Sequence, residues 1–177
     1  MKALKKIALV LVGLVLLVCI ISLFFPTAID VERSIVVDAS PEAAFENVNA
    51  MENWKKWGGP WHEEGMDYLQ VIQRTEGATS GVGSILVYDQ GDGEGTVQII
   101  ESEPNQRIKT LITFAVGGNA NGNWTFVPEG NGTKVTWGIH VELGYNPLMR
   151  IMGNLMMAGK VGPLFDTGLG NLKKASE

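Results

Sequence analysis

Residues 134–142 read Lys-Val-Thr-Trp-Gly-Ile-His-Val-Glu, a stretch in which apolar and polar side chains alternate. Successive side chains of a β-strand leave opposite faces, so every second residue of such a stretch lies on the same side. One face carries Val135, Trp137, Ile139 and Val141, and the other carries Lys134, Thr136, His140 and Glu142. The alternation therefore predicts a strand of an antiparallel sheet with one apolar face and one face in water.

The segments around this strand predict the rest of an α+β domain. Further strands, separated by turns rich in glycine and asparagine, are expected at 30–37, 69–74, 84–89, 96–103, 108–114 and 123–127. Ser40 and Pro41 are typical of a helix start, and a second short helix is expected around 51–56. After Asn146 and Pro147 the pattern becomes a long helix at roughly 148–174. We therefore predict a curved antiparallel sheet of about seven strands packed around a long C-terminal helix.

An apolar run at 7–25 precedes this domain. As a helix these 19 residues span ~28 Å, close to the hydrocarbon thickness of a bilayer. Three lysines among the first six residues place the N-terminus in the cytoplasm by the positive-inside rule, and the domain on the other side. We predict a cytoplasmic tip and transmembrane anchor at 1–28 and a folded domain at 29–177. A cleaved signal peptide, whose apolar core is usually only ~7–15 residues long, and a buried core helix are the alternatives.

The composition excludes several functional classes. The segment 30–177 holds 11 of the 14 basic and all 19 acidic residues, which leaves a formal charge of −8 and disfavours nucleic acid as a partner. Cys19 is the sole cysteine and lies in the apolar run, so no disulfide forms within the chain. With only His62 and His140 as further soft ligands, the sequence predicts neither a metal site nor a cofactor.

A family resemblance emerges from short motifs taken in their order along the chain. The run from Val31 to Phe45, with Ser40-Pro41-Glu42-Ala43-Ala44-Phe45 at its end, resembles the start of the SRPBCC (START-like) superfamily. The later pieces agree with its polyketide cyclase/dehydrase and lipid-transport branch: Trp54-Lys55-Lys56-Trp57, Gly81-Val82-Gly83-Ser84, Glu101-Ser102-Glu103-Pro104, Trp124-Thr125-Phe126-Val127-Pro128 and Gly132-Thr133-Lys134-Val135-Thr136-Trp137. The resemblance covers about 30–174 and implies a helix-grip fold. Members of the superfamily bind lipids, sterols, polyketides and hormones, and a minority catalyse reactions.

Two groups of residues are candidates for ligand contact on the sheet side of this fold. Trp57 and Trp61 flank a Gly-Gly-Pro segment and are expected at the mouth of a cavity between sheet and helix. Phe114, Trp124 and Trp137 are expected on the concave face of the sheet. For both groups the alternative is a purely structural role in the core.

The long helix supplies the remaining candidates. Met152 and Met156 belong to a methionine stripe, and methionine suits a wall that adapts to variable apolar ligands. Arg150 is expected at the cavity rim, where it would meet an anionic head group. The stripe is equally compatible with simple core filling.

Three hypotheses for function follow. The first is a membrane-anchored, non-catalytic domain that binds a lipid or another hydrophobic small molecule. The second is a cyclase- or hydrolase-type enzyme, which would need an acid–base set such as His62, Glu63 and Glu64 inside the cavity. The third is an interaction domain whose cavity is filled by its own side chains.

Overall fold

The computed structural model of the protein describes residues 2–61 and 67–177, without the side chains of Lys2, Met156 and Ala158. It contains an N-terminal helix, a seven-stranded sheet with short helices between its first two strands, and a long C-terminal helix. The helices are α1 (Lys2–Ser22), α2 (Pro41–Asn49), α3 (Trp54–Trp57), α4 (Tyr68–Val71) and α5 (Pro147–Ser176), with a 3-10 turn at Met51–Asn53. The strands are β1 (Ala28–Val37), β2 (Ile72–Gly77), β3 (Ser84–Asp89), β4 (Glu94–Glu103), β5 (Arg107–Thr113), β6 (Asn119–Glu129) and β7 (Gly132–Glu142). The predicted α+β helix-grip architecture is confirmed.

All neighbouring strands of the sheet are antiparallel, in the order β1-β7-β6-β5-β4-β3-β2. The register fixes which loops share an end of the sheet. Ala28 at the start of β1 lies opposite Glu142 at the end of β7, and Ala120 in β6 lies opposite Val141. The β3–β4 and β5–β6 connections therefore lie at the end where β1 begins. We call this the anchor end, because α1 enters there.

One predicted strand begins three residues later than its sequence suggests. The pattern of 69–74 predicts a strand throughout, whereas its first residues belong to α4 and β2 starts at Ile72. The carboxylate of Asp67 accepts a hydrogen bond from the Leu69 amide at 3.0 Å, and this cap stabilises one helical turn. A local side-chain cap thus outweighs the strand preference of the following apolar residues.

The core lies between the concave face of the sheet, α2 and α5. In β7 the apolar side chains expected on one face are buried, and those expected in water are exposed or half-buried. Helix α2 begins as predicted, with the Ser40 hydroxyl accepting a hydrogen bond from the Ala43 amide. On α5, the side chains of Phe165, Leu169 and Leu172 are buried in this core.

Helix α1 is long and apolar enough to cross a bilayer over Ala3–Ser22. Its side chains are largely exposed, which excludes the alternative of a buried core helix. A membrane span and a signal sequence share these properties. After Ser22 the amides of Leu23, Phe24 and Phe25 form i→i−3 bonds that tighten the last turn before Pro26.

Candidate ligand cavity

A cavity of about 240 Å³ lies between the concave face of the sheet, α5 and the turn after α3. Its lining residues are Trp54, Pro60, Trp61, Tyr88, Gln90, Val97, Thr110, Ile112, Phe114, Trp137, Ile139, Met157, Val161, Leu164 and Phe165. An apolar cavity of ~150 Å³ is sufficient for benzene, whereas pockets for drug-sized ligands span ~300–1,000 Å³. The space therefore fits a compact apolar molecule, or one end of a larger one.

Stacked aromatic rings form the floor of the cavity. The Trp137 ring stacks on Phe165 of α5 with centroids 3.8 Å apart, and on Trp124 on its other side at 4.4 Å. The Trp54 ring meets Trp137 edge-on at 6.4 Å. These contacts connect α3, the sheet and α5 through rigid rings, so the floor is preorganised for a planar or apolar ligand.

Two indoles of α3 are held in place by hydrogen bonds to α2. The Nε1–H of Trp54 donates to the Val48 carbonyl and that of Trp57 to the Asn47 carbonyl, each at 3.0 Å. Gly59, with φ of +57°, lies between the rings of Trp54 and Trp61. A Cβ at this position would be only 3.0 Å from an atom of each ring. The chain can therefore turn here and present Trp61 to the cavity.

Among the residues that the structure describes, the polar groups of the wall are few and uncharged. Burial raises the pKa of the Tyr88 phenol above its usual value, and the phenol donates to the Thr113 carbonyl at 3.3 Å. Because Gly95 has no Cβ, the Tyr88 ring can pack against its backbone. The buried hydroxyl of Thr110 packs against Gly122 in the same way. Gln90 is exposed at the mouth. An unpaired charge would be costly in such an interior, so the wall favours a neutral ligand.

Three of the five candidates on the sheet side line the cavity: Trp61, Phe114 and Trp137. Trp57 and Trp124 are fully buried behind them and do not line it. Trp124 also keeps a buried Nε1–H that has no partner among the described residues. The positions of Trp57 and Trp124 therefore favour a supporting role behind the rings that line the cavity over direct contact with a ligand.

Two of the three candidates on α5, Arg150 and Met152, are absent from the described lining of the cavity. The guanidinium of Arg150 is buried and donates to the Phe25 carbonyl, so it faces the end of α1. Met152 is about half exposed, because it lies on the helix face opposite the cavity. The side chain of Met156 lies outside the described part. The α5 side of the wall is formed instead by Met157, Val161, Leu164 and Phe165. Their i, i+4, i+7, i+8 spacing is typical of one helix face, and this pattern in the sequence could have identified them.

The histidines and the acidic residues suggested for acid–base catalysis lie away from the described lining of the cavity or outside the described residues. His62, Glu63 and Glu64 fall in the undescribed segment 62–66. His140 is on the convex face, where hydrogen bonds to Asp30 (2.7 Å) and Glu142 (3.1 Å) raise its pKa above the usual value. Within residues 2–61 and 67–177, no group of three or more His, Cys, Asp or Glu residues is placed to hold a metal ion.

Known structures share this fold at low sequence identity. The Aha1 dimer from Colwellia psychrerythraea, solved in solution, is 17% identical over 84% of this chain and 96% of that one, with a TM-score of 0.54. TTHA0849 from Thermus thermophilus is also 17% identical, over 84% and 97%, with a TM-score of 0.54. The di-domain ARO/CYC BexL from the BE-7585A biosynthetic pathway is 15% identical over 85% of this chain and 50% of that one, with a TM-score of 0.56. At these identities the likeness shows the fold alone.

The family can be assigned from sequence. No curated protein matches the chain. The family described as "Polyketide cyclase / dehydrase and lipid transport" matches residues 28–177, which is the whole of the sheet and α5. The match begins at the first residue of β1 and leaves out only α1 and the turn that follows it. The chain therefore belongs to the polyketide cyclase/dehydrase and lipid-transport family of the SRPBCC superfamily.

Proposed function

We propose that this protein is a membrane-tethered domain that binds a lipid or another hydrophobic small molecule in its internal cavity, without catalysing a reaction. The observation that carries the proposal is the cavity of about 240 Å³ under α5, whose described lining is largely aromatic and aliphatic and carries no charged side chain. Membership of a family described by lipid transport as well as by cyclase chemistry supports a binding role. The remaining space also argues against the hypothesis of a cavity filled by its own side chains.

The chemistry of the wall favours binding over catalysis. None of the described lining residues offers a carboxylate, an imidazole or a thiol, which are the usual general acids and bases. The phenol of Tyr88 stays protonated because burial raises its pKa. The enzyme hypothesis depends on His62, Glu63 and Glu64, which lie outside the described residues, and no observed contact favours it.

The tether rests on α1. Its span of Ala3–Ser22 fits the hydrocarbon core, and its exposed apolar surface needs a nonpolar environment. The lysines before it favour a cytoplasmic N-terminus and an extracytoplasmic domain, as a single-pass protein. Metal ions, cofactors and nucleic acid have no part in this proposal.

The intrinsic tryptophan fluorescence of the full chain provides a direct test. All five tryptophans lie in the cluster around the cavity, and the anchor has none. Bromine quenches emission at short range, so 1-bromonaphthalene added to the full chain in lipid nanodiscs should quench it saturably once it enters the cavity. A bilayer-dissolved probe that stays outside would leave these buried rings unquenched.

Two valine substitutions make a matched pair for this titration. Val161→Phe places a larger side chain in the cavity, and Val127→Phe adds the same atoms at an exposed site on β6. We expect Val161→Phe to weaken saturable quenching at least about tenfold, or ~1.4 kcal/mol, and Val127→Phe to leave it unchanged. Absence of saturable quenching in the unmodified protein, or equal quenching in both variants, would contradict cavity binding.

A further inference from the structure

The domain is fastened to the end of its anchor by several hydrogen bonds. Arg150 donates to the Phe25 carbonyl, and the amide of Asn154 donates to the Pro26 carbonyl at 3.1 Å. At the end of β7, the amides of Leu143 and Gly144 donate to the Thr27 carbonyl. The first two turns of α5 are therefore held against the point where the chain leaves α1.

This position fixes the depth of α5 relative to a bilayer that contains α1. The 20 residues of Ala3–Ser22 span ~30 Å, the thickness of the hydrocarbon core, so Ser22 lies near its boundary. Polar interfaces extend the bilayer by ~5–7 Å on each side. Since Arg150 contacts Phe25, the start of α5 lies within that interfacial layer.

The same part of the domain exposes large apolar side chains. We call them the anchor-end patch: Val116, Tyr145, Leu148, Met149, Met152 and Leu155. Val116 and Tyr145 are more than four-fifths exposed, and Leu148 and Leu155 more than half. Leu148, Met152 and Leu155 follow i, i+4, i+7 spacing and form one outward stripe of α5. Apolar groups that cluster in this way mark contact surfaces, and tyrosine is enriched at membrane interfaces.

The cavity opens at this end of the sheet as well. Tyr88 and Gln90 lie at the end of β3, and Phe114 follows the end of β5, all at the anchor end by the strand register. Gln90 is exposed and Phe114 is half-buried, whereas Val97 and Trp137 deeper in the sheet are buried. The mouth therefore faces the side on which the anchor and the patch lie.

From this arrangement we propose that the anchor-end patch rests in the bilayer interface and turns the cavity mouth towards the lipid, so that hydrophobic ligands enter from the membrane. This inference rests on the proposed function and adds the route to it. The occupant of the patch is the bilayer that holds α1, because the hydrogen bonds of Arg150 and Asn154 make the two surfaces continuous.

Charge at this end indicates how the contact is made. The β3–β4 connection carries Asp89, Asp92 and Glu94, which disfavour entry of that hairpin into a bilayer. The membrane contact is therefore made by α5 and by the β5–β6 loop, which carries Val116. Because apolar side chains rather than lysines make it, anionic lipid should not strengthen it.

Depth-resolved spin labelling of the full chain tests the inference. Cys19→Ser removes the sole cysteine, and Met152→Cys or Leu155→Cys then places a label on the patch. Asn131→Cys is the control, in the exposed β6–β7 turn at the opposite end of the sheet. In nanodiscs of zwitterionic phosphatidylcholine, accessibility to oxygen relative to a water-soluble nickel chelate should be several-fold higher for the labels on the patch than for the control.

The labelling results either support or overturn the inference of membrane docking. Labels at 152 and 155 with the aqueous ratio of the control would overturn the inference, as would dipolar broadening between labels, which indicates a second copy as the occupant. Flotation of the chain with phosphatidylcholine vesicles reports separately on the tether. Bromonaphthalene quenching on the same nanodiscs reports on cavity binding, so a failure of the proposed function is distinguished from a failure of membrane docking.

Discussion

Gly168 is a point of close approach between α5 and the turn after α3. A Cβ at this position would lie 2.6 Å from the Gly59 carbonyl oxygen and 3.0 Å from Cζ3 of Trp137. The first contact is with backbone, and the second is with a ring that is stacked on both sides, so neither neighbour can move freely. Gly168→Ala must therefore shift α5 away from the sheet, which we expect to cost ~1–3 kcal/mol as overpacking.

Gly170→Ala provides the matched control on the same helix. A Cβ at Gly170 would have no atom within 4 Å beyond its own helix. Both substitutions gain the same ~0.5–1 kcal/mol from replacing glycine in a helix, so this gain cancels when the variants are compared. What remains is the overpacking, and at ~2–4 °C per kcal/mol the Tm of Gly168→Ala should fall about 2–12 °C below that of Gly170→Ala.

Thermal unfolding of the full chain in detergent, followed by near-ultraviolet circular dichroism of the tryptophans, measures this difference. The probe is suitable because all five indoles belong to the core that Gly168 adjoins. If Gly168→Ala were as stable as Gly170→Ala, the close approach of α5 to the turn would not exist, and the cavity described between them would be wrong.

Two further predictions concern the anchor end. The hydrogen bonds to Asp30 and Glu142 raise the pKa of His140, so its contribution to stability is complete below pH ~6.5 and is lost as pH rises through the elevated value. An NMR titration should show that elevated pKa, and Asp30→Asn should lower it; an unchanged pKa in the variant would contradict the pairing. Arg150→Ala removes a charged donor from the Phe25 carbonyl, a contact of a kind worth ~1.5–3 kcal/mol, and should speed hydrogen exchange at the amides of Leu143 and Gly144. Arg33→Ala, which removes an exposed pair with Asp166 far from this junction, should leave that exchange unchanged; equal acceleration in both variants would argue against the fastening.

The sheet and the long helix were predictable because their signals are local and repeated. Alternation in 134–142 assigned each side chain of β7 to its correct face, and Ser40 with Pro41 marked the start of α2 correctly. The order of motifs added the helix-grip fold. Each of these inferences needs only the period of one element or a cap within one turn, which the sequence displays directly.

The candidate residues on α5 were harder to place, because helical phase against a partner is a tertiary property. Methionine chemistry suggested Met152 and Met156 for the cavity wall, but Met152 lies on the outward face, and the face towards the cavity runs through the half-buried Met157, Val161 and Leu164. Arg150 looked free for a head group, yet its guanidinium contacts the Phe25 carbonyl across 125 residues of chain. No periodicity within the helix predicts such a contact.

The two faces of α5 give the placement of this helix a functional meaning. Its inner face supplies Met157, Val161 and Leu164 to the cavity, and its outer face supplies Leu148, Met152 and Leu155 to the anchor-end patch. With α1 in a bilayer, as we propose, a helix that Arg150 holds at the end of α1 cannot change its depth without moving the wall of the cavity. If the patch rests on lipid, the helix that touches the membrane is therefore the same helix that covers the cavity, and a hydrophobic ligand can pass between the two along it.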